Sequence, residues 1–147
     1  MTSAGERIAV EAAPLWAGRL IARALGRPVP GSGDGTAADD GTASVRLWVE
    51  SGTAPFARAG LRPVTRGAFS NGQRTLLLDA GGSGFDLLLT VDDAVLSVMA
   101  RYRPAARTRA ANRLLPGRFA LLAGQVLVHY PLLWRAGWRG RVPLHAS

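Results

Sequence analysis

Residues 85–101, FDLLLTVDDAVLSVMAR, contain two apolar runs on either side of an acidic pair. Residues 85–91 and 94–101 have the length and composition of β-strands, and Asp92 and Asp93 make a two-residue connection between them. One alternating set consists of Leu87, Leu89, Val91, Val95, Ser97 and Met99. Such alternation is typical of strands that bury one face, so we predict a β-hairpin here.

Two further apolar segments precede this hairpin. Residues 45–49, VRLWV, alternate like a half-buried strand, and residues 75–79, TLLLD, form a compact apolar run before the glycine-rich turn 80–84. Sequential strands with short connections favour antiparallel pairing. We therefore expect an α+β fold, in which an antiparallel sheet of short strands packs with an apolar carboxyl-terminal helix and a short amino-terminal helix.

The carboxyl-terminal helix is predicted from a change of apolar spacing after Pro104. Helical spacing places five apolar residues on one stripe: Phe119, Leu122, Val126, Tyr130 and Leu133. Leu121, Leu127 and Val128 make the segment apolar almost all round, which indicates a helix in the core. Its uncharged stretch, residues 119–134, is shorter than the ~20 residues that usually span a bilayer.

Two residues of this helix carry separate expectations. Pro131 cannot donate the backbone hydrogen bond of a regular helix, so it should kink the helix there or begin a new turn that ends near Gly137. His129 has no carboxylate or cysteine near it in the sequence. We therefore expect a core histidine with one hydrogen bond.

The amino-terminal part divides into a helix and a linker. Residues 14–25 have the spacing of an amphipathic helix with Trp16, Leu20 and Ala24 on one face, which Ile21 and Leu25 widen, and Gly26 supplies its stop. Residues 27–44 are rich in Gly, Pro, Ser, Thr and Asp, a composition that predicts a flexible linker cleaved first by proteases. The expected organisation is a helical segment 1–26, the linker 27–44 and a module 45–147.

The charges are distributed unevenly along the chain. Residues 1–93 contain nine Arg and all ten acidic residues, whereas residues 94–147 contain nine Arg and no acid. The candidate contacts for a phosphate or a partner are the arginines in the densest part of this region: Arg101, Arg103, Arg107, Arg109 and Arg113. Such a cluster also suits a solvated surface whose acidic counterpart lies on a neighbouring domain.

Among the partners considered for these arginines, an acidic protein or peptide is compatible with their positive charge. We do not expect nucleic acid, because Tyr102 is the only aromatic residue interleaved with the arginines and no known nucleic-acid module is visible. A membrane surface would use Trp134 and Trp138 as interface anchors, and we do not expect that arrangement either.

Composition excludes several kinds of chemistry. All 18 basic residues are Arg, so the chain lacks the Lys of a GxxxxGK[ST] phosphate loop. The absence of Cys removes thiolate metal sites and cysteine nucleophiles and suits the reducing cytoplasm. Gly33 and Gly35 superficially match a dinucleotide fingerprint, but no strand precedes them and no helix follows. We expect no catalytic residue, no cofactor and no metal in this chain.

Residues 141–147, RVPLHAS, have the pattern of a strand that enters a further fold. Leu144, His145, Ala146 and Ser147 resemble the strand that precedes the P-loop in bacterial proteins similar to HPr kinase/phosphorylase. The resemblance extends over roughly residues 46–147, and only this last stretch is specific. It implies that ATP and Mg²⁺ would be bound only by a downstream domain, which would be the partner of this chain.

The resemblance leads to a functional hypothesis. The chain would be the non-catalytic amino-terminal module of an HPr-kinase-like ATP-binding protein, with a scaffold or substrate-recognition role in the cytoplasm. No catalytic residue of the family has a counterpart here, so the chain would not be an enzyme as it stands. The alternative is a self-standing Arg-rich domain that binds an acidic protein or nucleic acid.

Overall fold

A computed structural model describes residues 7–26, 44–92 and 94–135. Within these residues one sheet of seven strands is accompanied by three helices. The elements in chain order are β1 (Ile8–Ala12), α1 (Leu15–Leu25), β2 (Val45–Glu50), β3 (Arg62–Thr65), β4 (Ala68–Ser70), β5 (Arg74–Leu77), a short 3₁₀ turn (Ala80–Gly82), β6 (Phe85–Asp92), β7 (Val95–Tyr102), α2 (Ala106–Leu114) and α3 (Pro116–Gly124). From α3 the chain continues through a π-helical turn (Gln125–His129) and helical residues 130–135, which gives a helix of 20 residues. Below, α3 denotes this whole helix.

The sheet has the order β1-β2-β7-β6-β5-β4-β3 and is mostly antiparallel. The central hairpin of β6 and β7 is confirmed, with Asp92 opposite Val95. The predicted α+β fold, with both its helices, is likewise confirmed. The parallel pairing of β1 with β2 and of β2 with β7 was not predicted.

Strand β1 lies within the segment 1–26, for which only a helix was predicted. Ile8 pairs with Val45 and Val10 with Leu47, so residues of this segment belong to the same sheet as the hairpin. A parallel pair needs a crossover connection, and α1 lies in the chain between β1 and β2. Residues 27–43, the greater part of the predicted linker, lie outside the described residues.

Helix α1 ends where the sequence predicts. Gly26 adopts a left-handed conformation with φ 72°, and its backbone N–H donates to the carbonyl groups of Ala22 and Arg23. The side chains buried most deeply are Ala17, Ile21, Ala22 and Leu25. Of the predicted face, Ile21 and Leu25 are buried as expected, whereas Leu20 and Ala24 are only partly buried and Trp16 is exposed.

The two faces of the sheet are covered in different ways. On one face, Leu87 and Leu89 of β6 and Leu96 and Val98 of β7 are fully buried in the main core, which includes residues of α1 and α3. The buried residues of β7 are therefore the even-numbered ones, whereas the alternating set in the sequence analysis consisted of odd-numbered residues. On the other face, a smaller cluster is formed by Phe56, Leu76 and Leu88. Phe56 belongs to the irregular segment 51–61, which covers that face.

The buried side of α3 differs from the apolar stripe that was predicted for the carboxyl-terminal helix. Val126 is buried as expected, but Leu133 and Tyr130 are exposed, and Phe119 and Leu122 are only partly buried. The residues that face the core are Ala123, Gly124, Val126, Leu127, Val128, Pro131 and Leu132. The strict 3.6-residue spacing used for the prediction does not hold across a π-helical turn, so the sequence pattern misplaced the buried face.

The π-helical turn directly precedes Pro131, which lacks the N–H that a regular helix would direct at the carbonyl of Leu127. The helix nevertheless continues to residue 135. There Arg135, which is buried, donates from Nη2 to the carbonyl oxygen of Ala94 at 2.7 Å. His129 is exposed, so its prediction as a core histidine was wrong.

We expect Gly84→Ala to destabilise the protein by about 2 kcal/mol. Gly84 has φ 93°, and a Cβ atom there would lie 2.8 Å from the Cβ of Pro104 and 3.0 Å from the ring of Tyr102. Gly52→Ala is the matched control, because a Cβ there meets nothing within 4 Å. Urea denaturation followed by circular dichroism measures both, and equal midpoints for the two variants would contradict the close approach at Gly84.

Candidate functional site

Arg101, one of the five predicted contact residues, is engaged within the fold. Its guanidinium donates to the carboxylate of Glu50 and, from Nη1, to the carbonyl oxygen of Ala54 at 2.9 Å. The guanidinium carbon also lies 4.2 Å from the centre of the Phe56 ring, within the range of a cation–π interaction. Arg101 therefore holds the segment 51–61 against the sheet.

Arg103 acts on the same segment from β7's end. Its Nε donates to the carbonyl oxygen of Thr53 at 2.7 Å, and its Nη1 donates to Oδ2 of Asp86 at 2.8 Å. Asp86 is only 3% exposed, and its Oδ1 accepts the backbone N–H of Asp79 at 2.9 Å. Arg103 thus compensates a buried carboxylate, which explains its place in the sequence without an external ligand.

The other three predicted residues lie together on α2. Arg107, Arg109 and Arg113 are exposed, and Arg118 at the beginning of α3 is exposed as well. Within residues 7–26, 44–92 and 94–135, none of these four arginines has an acidic partner. Their charge is therefore open to a partner molecule.

The orientation of α2 is set by a buried amide. Asn112 is 5% exposed, and its Nδ2 donates to Oη of Tyr102 at 2.8 Å and to the carbonyl oxygen of Ser83 at 3.1 Å. It is the only residue of α2 that is buried. Because these bonds hold Asn112 inward, the arginines on the remaining sides of the helix are directed to solvent.

An aromatic cluster lies beside Asn112. The ring of Tyr102 lies 5.5 Å from the ring of Trp16, 5.0 Å from that of Phe85 and 5.5 Å from that of Phe119, measured between ring centres. The guanidinium carbon of Arg109 lies 6.0 Å from the same ring. Tyr102 is therefore occupied by neighbours of its own chain and joins α1, α2 and α3 to the sheet.

The outer side of α3 is an apolar surface that the sequence analysis did not identify. Leu121 is 70% exposed and Leu133 is 62% exposed, although the helix between residues 119 and 134 carries no charged side chain. Tyr130 is also exposed and makes an edge contact with Trp134. Partial burial raises the pKa of the Tyr130 hydroxyl above its ordinary value of 10.0, so this side chain is neutral at physiological pH. We call Leu121, Tyr130 and Leu133 the outer face of α3.

A second pair of exposed leucines lies where α2 meets α3. Leu114 and Leu115 are 78% and 53% exposed, directly beside Arg113 in the sequence.

The sequence contained one signal for these surfaces, namely that the helix is apolar on all sides while a single sheet can bury only one of them. The family-like residues Leu144, His145, Ala146 and Ser147 lie outside the described residues, so that expectation stays a prediction.

In the described part of the chain, no group of three or more His, Asp or Glu side chains is arranged to hold a metal ion, and no helix has the length and apolar character needed to cross a bilayer. What the geometry provides is two adjacent surfaces on α2 and α3. No family model, curated protein or solved structure matches this chain.

Proposed function

We propose that this chain is a non-catalytic accessory module, the amino-terminal part of an HPr-kinase-like ATP-binding protein, with a scaffold or substrate-recognition role in the cytoplasm. ATP and Mg²⁺ would be bound by the P-loop domain that follows it, and the module would pack beside that domain. The single observation that carries the proposal is the outer face of α3, where Leu121 and Leu133 are largely exposed within the uncharged stretch of residues 119–134.

The energetics of this face favour a protein neighbour. Burying a leucine side chain contributes about 1.5 to 3 kcal/mol, so covering Leu121 and Leu133 is a substantial gain for an interface. The opposite side of the same helix is already buried against the sheet. A helix that is apolar on both sides is typical of an element that lies between two packed layers.

The charge distribution supports the same arrangement. Residues 94–147 contain nine Arg and no acid, and the exposed arginines of α2 lack ion pairs in the described part of the chain. An acidic neighbouring domain would compensate them. Because residues 144–147 resemble the strand before a P-loop, the neighbour in this proposal is a P-loop domain.

The coding DNA downstream of codon 147 tests the identity of the neighbour. We expect an open frame that encodes GxxxxGK[ST] within about 20 residues. A stop codon at that position in the natural gene would overturn the proposed family context. It would leave the outer face of α3 without its expected neighbour.

The interface itself is tested with Leu121→Glu/Leu133→Glu. We expect this double variant to weaken the binding of the separately expressed P-loop domain at least about tenfold, because two carboxylates would have to be desolvated in the contact. Isothermal titration calorimetry measures the affinity. Leu15→Glu/Val64→Glu is the matched control, since Leu15 and Val64 are 63% and 62% exposed elsewhere on the protein. Equal binding by both double variants would show that α3 is not the contact.

A further inference from the structure

Helix α2 presents a face that neither the fold nor the outer face of α3 uses. Residues 107, 110 and 114 are spaced by three and four positions, so Arg107, Ala110 and Leu114 lie along one side of the helix. Arg113 adjoins that side, three residues after Ala110. These four residues are exposed. We call them the α2 face.

The two arginines of the α2 face add little net stability to the helix that carries them. Arg107 lies in the first turn, where the helix dipole disfavours a cation, and that turn contains no acidic residue. Arg113 lies in the last turn, where the dipole favours a cation, but it also forms a like-charge pair with Arg109 four residues before it, which offsets that gain. Folding therefore accounts for little of this positive charge.

We propose that the α2 face binds an acidic protein segment that also carries apolar side chains. Carboxylates would accept paired hydrogen bonds from the guanidinium groups of Arg107 and Arg113, a geometry that Arg forms readily with carboxylates. An apolar side chain of the partner would contact Leu114 and the adjacent Leu115. The complementarity is thus of charge along the helix and of apolar surface at its carboxyl end.

The structure favours a protein over single-stranded nucleic acid. Base recognition on such a surface needs aromatic rings with a free face, whereas the ring of Tyr102 is surrounded by Trp16, Phe85 and Phe119. The most exposed side chain next to the arginines is Leu114, at 78%, which a phosphate backbone would leave without a partner. An anionic membrane would need a broader apolar side than two leucines provide.

The test uses the full 147-residue chain and three labelled probes of about 16 units each. The first is a peptide of Glu with Leu at helical spacing, the second has every Leu replaced by Ser, and the third is oligothymidylate. Fluorescence anisotropy at about 0.15 M salt, where exposed charges are strongly screened, measures the affinities. We expect the Glu/Leu peptide to bind at least about fivefold more tightly than either other probe.

Two sets of variants assign the binding to the α2 face. Arg107→Glu/Arg113→Glu should weaken binding of the Glu/Leu peptide at least about tenfold while the protein stays folded. The control Arg62→Glu/Arg66→Glu makes the same change of net charge at exposed positions elsewhere and should alter binding less than about twofold. Leu114→Ser should remove the preference for the Glu/Leu peptide over the Glu/Ser peptide.

Three results would overturn the proposal. Equal losses in the two double variants would mean that net charge alone attracts the peptide. Tighter binding of oligothymidylate would assign the arginines to phosphate. An unchanged peptide preference in Leu114→Ser would remove the apolar part of the contact. The P-loop domain is absent from these measurements, so each of these results leaves the proposed role of α3 to its own test.

Discussion

Val126→Asp is expected to unfold the protein. Val126 is 7% exposed and belongs to the main core between the sheet and α3. An unpaired carboxylate in that position costs several kcal/mol, and the variant also loses the apolar burial of the valine. A domain of this size has a stability of about 5 to 15 kcal/mol. Circular dichroism during thermal unfolding should therefore show no cooperative transition, or one lowered by more than about 15 °C.

Leu121→Asp is the control on the same helix. Leu121 is 70% exposed, so a carboxylate there remains in water and the melting temperature should change by only about 2 °C. A pair of variants with similar melting temperatures would contradict the assignment of buried and exposed sides to this helix. Because Leu121 precedes the π-helical turn and Val126 lies within it, the comparison also tests how the helix enters that turn.

Asp86→Ala is expected to have the second largest effect, a loss of about 3 kcal/mol. Its carboxylate is buried, and it is bound by the guanidinium of Arg103 at 2.8 Å and by the backbone N–H of Asp79 at 2.9 Å. Removing it leaves both donors without an acceptor, and Arg103 would also hold Thr53 less firmly. The estimate is at the lower end for a broken buried pair because the side chain of Arg103 is still 31% exposed.

Glu50→Ala provides the comparison for this pair. Glu50 binds Arg101 on the neighbouring strand, but both side chains retain water, with exposures of 31% and 23%. We expect a loss of no more than about 1 kcal/mol. Urea denaturation curves give both values. An equal or larger loss at Glu50 would show that burial is not what distinguishes the Asp86 pair.

The two proposed surfaces are compatible with one another in the fold. The outer face of α3 and the α2 face lie on consecutive helices, joined at Leu115. The buried bonds of Asn112 fix the direction in which α2 points. A neighbouring domain on α3 would therefore leave the arginines of α2 at the edge of the interface, where an acidic segment can reach them.

Some elements could be predicted from the sequence because their cause is local. The β6–β7 hairpin follows from two apolar runs with an acidic two-residue connection, and its ends agree with the observed strands to within one residue. Helix α1 ends at Gly26 because a left-handed residue is needed there and glycine adopts that conformation without strain. These signals lie within a few residues of the structure that they specify.

The roles of the arginines were not accessible in this way. Arg101 and Arg103 lie in the same arginine-rich stretch of sequence as the arginines of α2, and all five were predicted as candidate contacts. Only the folded chain brings Glu50 and Asp86 to the first two. The acids are separated from them by 51 and 17 residues in the sequence, so no local pattern distinguishes a paired arginine from an exposed one.

The sequence by itself determined the fold class, the central hairpin and the presence of both predicted helices, because hydrophobic periodicity and stop residues act over short distances. Tertiary structure decided that β1 joins the sheet in parallel, that the π-helical turn sets the buried side of α3, and that of the five candidate arginines only the three on α2 are exposed. Each of these depends on which distant segment supplies the hydrogen bonds, the apolar contacts or the opposite charge. That choice is made by the whole chain when it folds.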